Sequence, residues 1–210
     1  MSYVEISALQ KMRSGIIFFL VAWALTWVGA IWAIVVLTSL PFSNLTSMDG
    51  LLGVFTAVVG AVILIIIGGI IALIGLFSRF IPGVRDLANA NPKFSTASTL
   101  IRIGYIWGLI LLIIGLILAI FIIGIPILLV GAILLLIGLI GTIVLCFKLK
   151  DVYQNSLYLV AGIFFILYIF ITMSRILSVF TAIPEIIGWI LIYIALGDTI
   201  RKLQTQATQE

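Results

Sequence analysis

A chain of 210 residues with 64% hydrophobic and only 9% charged content cannot hide its apolar surface in one water-soluble core, so a bilayer has to act as its solvent. A net charge of +4 would suit nucleic acid in a soluble protein, but these charges sit in short connections between apolar runs, and no nucleic-acid partner is expected. There is no histidine and Cys146 is the single cysteine, which excludes a His/Cys metal centre, an intrachain disulfide and a Cys-His nucleophile.

Residues 1–13 give a short polar start that ends in Lys11 and Arg13. The apolar run from Ser14 to about Leu40 is too long for a signal-peptide core and predicts a first span over 15–38. Trp23 and Trp27 lie one turn apart near its middle, where packing or lipid contact is expected rather than an interfacial belt. A connection with Pro41, Asn44, Asp49 and Gly50 but no lysine or arginine leads to a second span over 51–77. The Gly68-Gly69 pair within it suits close helix packing; the alternative is a loosened helix whose backbone lines a substrate site.

Residues 78–99 form the one sizeable polar connection. Pro82-Gly83 and Asn91-Pro92 are expected to interrupt any helix there, which predicts an interfacial loop. Phe80, Ile81, Val84 and Leu87 let its middle lie on the membrane, with Arg79, Arg85 and Lys93 toward anionic headgroups. Ser95 to Thr99 supplies ordinary capping residues for the next helix.

Between Arg102 and Lys148 stand 45 residues without a charge. As one helix they would run roughly 68 Å, more than twice a hydrocarbon core of about 30 Å. Gly124-Ile125-Pro126 is the natural break, giving a hairpin of spans over 103–123 and 127–147. A fifth span covers 157–174, with room to extend toward 180, and a sixth covers 184–200. Pro184 suits a first helical turn, and the Glu185 carboxylate there favours the positive end of the helix dipole.

With the N-terminus inside, ten of the eleven lysines and arginines fall on the inner side and only Arg175 on the outer, as the positive-inside rule requires. The expected architecture is all-α: a polytopic transmembrane helix bundle of six spans, one membrane domain over 1–210, both termini cytoplasmic.

Gly104, Gly108, Gly115 and Ala119 fall on one face of the third span and form a small-residue stripe, a signal for close helix packing within or between chains. Gly131 and Gly138 offer the same on the fourth span, and Ala22, Thr26 and Ala30 on the first. Val28-Gly29-Ala30-Ile31, Val59-Gly60-Ala61-Val62 and Val130-Gly131-Ala132-Ile133 suggest duplicated hairpins, although short matches arise easily in so biased a composition. No ionisable residue falls securely in the middle of a span. Arg175 and Glu185, both placed near the outer face, are the two ambiguous ones: an ion pair between them would make a gate or a subunit contact, and the alternative is an arginine snorkelling outward and a glutamate near a helix start.

Met12-Arg13-Ser14-Gly15, Phe94-Ser95-Thr96-Ala97-Ser98-Thr99-Leu100-Ile101 and Ile190-Leu191-Ile192-Tyr193-Ile194-Ala195-Leu196-Gly197 resemble a family of multispanning membrane proteins from thermoacidophilic crenarchaea, filed as a domain of unknown function. The resemblance runs over most of the chain and implies an archaeal cytoplasmic membrane and a single full-length domain. It brings no activity or functional residues with it.

No catalytic set emerges, no cofactor is called for, and an enzyme is not expected. The leading expectation is a non-enzymatic membrane protein in contact with lipids, an accessory subunit of a larger complex or a homo-oligomer. The alternative is a small transporter or channel.

Overall fold

The computed structural model describes residues 3–39, 48–174 and 182–207, and every element among them is helical. α1 is Tyr3–Ser39 and α2 is Met48–Gly75, followed by α3 (Ile81–Ala90), α4 (Ser95–Arg102), α5 (Gly108–Leu118), α6 (Gly124–Tyr153), α7 (Ser156–Ser174) and α8 (Ala182–Ala207). Several join end to end, leaving six helices long and apolar enough to cross a membrane.

The connection expected as an interfacial loop over 78–99 is instead largely helix. α2 passes through a wide π-type turn at Leu76–Phe80 straight into α3, and Gly50 to Ala90 is one continuous rod. Pro82 does not break it, because proline is tolerated in a first helical turn and the wide turn before it gives its ring room. α3 then packs along α1: its Val84 and Leu87 are buried, while Arg85 on the opposite face is exposed. Asn91-Pro92 does end the rod, with Asn91 in extended conformation and its side chain accepting the Lys93 amide at 3.1 Å. Asn91 thus caps the following turn, a role expected of Ser95 to Thr99.

The central hairpin turns where the sequence placed its break. A short 3-10 turn at Ala119–Phe121 leads to Ile122 at φ 59, a positive-φ conformation that is costly for a β-branched residue. Gly124 makes the turn feasible, since a Cβ there would run into the carbonyl of Gly115 and the backbone at Ala119.

The stripe of Gly104, Gly108 and Gly115 is spent inside the chain. Its glycines meet Gly138, Leu135 and Leu128 of α6, and each lacks room for a Cβ. Ala119 is half-buried at the hairpin turn. The first hairpin closes likewise, with Gly29 against Ala61 and Leu64, and Gly68 against Ala22 and Thr26.

Helix neighbours follow the order α2, α1, α8, α7, α6, α5. The large buried side chains, among them Phe80, Phe94, Leu149 and Tyr158, gather at the end where α1 starts and α8 finishes, here called the basic end. Towards the opposite, hairpin end the buried positions are mostly glycine and alanine: Gly29, Ala57 and Ala61 on one hairpin, Gly115, Gly124 and Gly131 on the other. There each hairpin packs within itself, and a gap opens between the two.

Candidate functional site

The floor of that gap is built where α1, the wide turn after α2, and α7 converge on Trp189 of α8. Its indole lies 4.9 Å from the Phe19 ring of α1, 5.3 Å from Phe80 of the wide turn after α2 and 5.1 Å from Phe165 of α7, in tilted or edge-on arrangements. Each such pair is worth about 0.5–1.5 kcal/mol beyond its buried area. Gly188 permits the approach of α7, because a Cβ there would stand about 3.0 Å from the Phe165 ring.

Above this floor lies a cavity of about 350 Å³. Trp23, Thr26 and Gly69 line it from the first hairpin, Tyr105 from the opposite side, and Glu185 with Trp189 from α8. A second cavity of about 310 Å³ adjoins it through the shared residues Tyr105 and Glu185 and is lined by Leu135, Leu139, Tyr168 and Thr172. Glu185 thus stands where the two meet. Trp189 stands one turn along α8 and lines the first cavity with it.

The height of Glu185 follows from helix register. Twelve residues of α8, about 18 Å, separate it from Gly197, which packs against the Arg13 guanidinium of α1. In the other direction α6 runs about 18 Å from Leu136, beside Glu185 in the second cavity, to its start at Gly124. Glu185, in the first turn of α8, therefore lies about midway between the level of Gly197 and that of Gly124. The pair expected with Arg175 lies outside the described residues.

Tyr105 owes its orientation to the wide π-type turn Ile103–Trp107, between α4 and α5. Its hydroxyl is 3.1 Å from Thr142 Oγ1, which itself donates to the Gly138 carbonyl at 3.2 Å. The threonine has one proton and spends it on the carbonyl, so Tyr105 is the donor to Thr142. Thr26 likewise donates to the Ala22 carbonyl at 3.0 Å. Leu76, in the other wide turn, also lines the cavity, so both π-type turns among the described residues border it. Such turns recur at functional sites.

The glycine pair divides its labour. Gly68 faces α1, where a Cβ would stand 3.0 Å from the Ala22 carbonyl, whereas a Cβ on Gly69 would meet nothing within 4 Å. The first packs and the second opens into the cavity, and α2 stays helical through both. Among the described residues, no group of His, Cys, Asp and Glu is placed to hold a metal ion. Sequence reasoning named Glu185, Trp23 and the glycine pair separately; Tyr105, Trp189 and Phe19 carried no signal, because all three read as ordinary apolar span residues.

The chain belongs to the family described as protein of unknown function DUF973, which matches residues 5–210. No curated protein and no solved structure matches it.

Proposed function

We propose that this integral membrane protein is a small transporter that carries a solute through the cavity at Glu185. The observation that carries the reading is one carboxylate held at mid-height between two hairpins packed together at one end only. With Arg13 at one boundary, Glu185 lies about 18 Å in, past the middle of a hydrocarbon layer about 30 Å thick. An acid there is expensive to keep, and acids in this position mark substrate and ion pathways. The wide turns at Leu76–Phe80 and Ile103–Trp107 supply joints at which one hairpin rocks against the other. In this reading the protein is non-enzymatic and lies in an archaeal cytoplasmic membrane with its basic end inside.

A second reading, an accessory subunit or homo-oligomer, draws on the α5–α6 tip, where Ile120 and Ile122 are 85% and 77% exposed. Reconstitution into liposomes separates the two. Flux of a solute that is lost on filling the cavity with Gly69→Phe supports the transporter. No flux from any solute class, together with a stoichiometric complex in native mass spectrometry after mild extraction, replaces it with the subunit reading.

A further inference from the structure

We infer that the solute is a small organic ammonium ion with an apolar body, an inference that rests on the transporter reading and names its substrate class. The charge of the first cavity and its hydrogen-bonding groups lead to it. Glu185 brings a carboxylate, which accepts only. Tyr105 has given its hydroxyl proton to Thr142, and Thr26 has given its own to the Ala22 carbonyl. Two indole N–H donors, those of Trp23 and Trp189, share the wall, and both are uncharged. Among the described residues the ionisable groups on this wall are Glu185 and the Tyr105 phenol, so a ligand next to Glu185 is matched when it brings hydrogen-bond donors that carry a positive charge. Among the described residues no lysine or arginine lines either of the two cavities.

The rest of the wall decides what kind of cation. A hard metal ion such as calcium takes about six to eight oxygen ligands, and this wall is chiefly Trp23, Phe19, Ile65 and Gly69 beside the few oxygens named. It cannot replace a hydration shell. An ammonium group on a hydrocarbon body needs only one carboxylate, and its body and charge both gain from aromatic faces. The volume of about 350 Å³ falls at the small end of ligand sites, roughly 300–1,000 Å³. An anion would meet the carboxylate with no compensating cation, and a neutral alcohol would bring no charge to match it.

The test uses the full chain in lipid nanodiscs with radiolabelled 2-phenylethylammonium as the probe, and 2-phenylethanol and 3-phenylpropanoate as neutral and anionic competitors. The ammonium is expected to bind saturably, the alcohol to compete at least tenfold more weakly and the carboxylate not at all. Glu185→Gln is expected to weaken ammonium binding at least tenfold while eluting as the same single species. Glu185→Asp, which keeps the charge, is expected to retain part of the affinity. Binding of the alcohol or the anion as tight as that of the ammonium, or unchanged ammonium binding in Glu185→Gln, overturns the substrate class. If a compound of the wrong class is taken up into liposomes and Gly69→Phe stops it, the transporter reading survives while this one falls. No binding and no uptake of any of the three overturns the class, and the broader flux screen then decides the transporter reading.

Discussion

Tyr153, the last residue of α6, donates its hydroxyl proton to the Glu5 carboxylate in the first turn of α1 at 2.6 Å, a bond between residues 148 positions apart. It ties the start of the first helix to the end of the fourth span, at the end of the bundle where the two hairpins are joined. The Tyr153 ring also stacks on Phe94, 6.3 Å between centroids, so the ring stays in place when the hydroxyl goes. Tyr153→Phe leaves Glu5, only 8% exposed, without that donor. The expected cost is about 1–3 kcal/mol, a fall of several degrees in the thermal midpoint of the detergent-solubilised protein. An unchanged midpoint would show that water replaces the phenol.

Lys11 and Asp86 make a second link between α1 and α3 at 2.6 Å, but their side chains remain 43% and 33% exposed. Partial exposure screens the attraction, so a double-mutant cycle with Lys11→Met and Asp86→Asn is expected to give a coupling below about 1 kcal/mol. A coupling of several kcal/mol would mean that this pair, and not the apolar seam beside it, holds α3 to α1.

Gly68 and Gly69 are neighbours in sequence with opposite surroundings, and they predict opposite outcomes. Gly68→Val pushes a side chain into the Ala22 carbonyl and Thr26, so the α1–α2 hairpin is expected to lose about 1–3 kcal/mol. Gly69→Phe projects into open space and is expected to keep the fold while filling the cavity. Size-exclusion profiles and thermal midpoints of both variants check this. Equal damage from the two would contradict the cavity wall described above.

Close packing of α5 on α6 is tested by Gly104→Val, whose Cβ collides with the backbone of Gly138. Backbone has no side chain to swing aside, so the expected loss is about 2–4 kcal/mol. Gly162→Ala is the matched control, because its Cβ would rest at 3.4 Å from the Cys146 Cβ, an ordinary contact. It is expected to change stability by no more than about 0.5–1 kcal/mol, in the stabilising direction.

Six spans put both ends of the chain and both basic connections on one side. In a Cys146→Ser background, single cysteines at Arg85, Lys148 and Lys202, all exposed at the basic end, are expected to react with an impermeant maleimide from the same side of sealed vesicles. In cells that side is expected to be the cytoplasm. Labelling of Arg85→Cys and Lys148→Cys from opposite sides would remove one span and with it the α5–α6 hairpin.

The membrane class, six helices and the turn near Gly124-Ile125-Pro126 were all legible in the sequence, because each depends on a local quantity: apolar run length against bilayer thickness, and a residue pair that stops a helix. The small-residue stripe was legible too, since a helix places Gly104, Gly108 and Gly115 on one face whatever surrounds it. Its partner was not, and only packing assigned it to α6 of the same chain. The segment after residue 78 misled because Pro82 signals a break, whereas a wide turn next to it, fixed by tertiary contact with α1, lets the helix run on. Glu185 was legible only in part. Its place in a first helical turn is a local fact, but the residues it shares a cavity with depend on how α8 packs beside α1 and α6. The sequence by itself decided that the chain needs a bilayer. That an acid, a bare glycine and a set of aromatic rings share one cavity was decided by helices packing at one end and parting at the other, a relation among distant residues that no local pattern encodes.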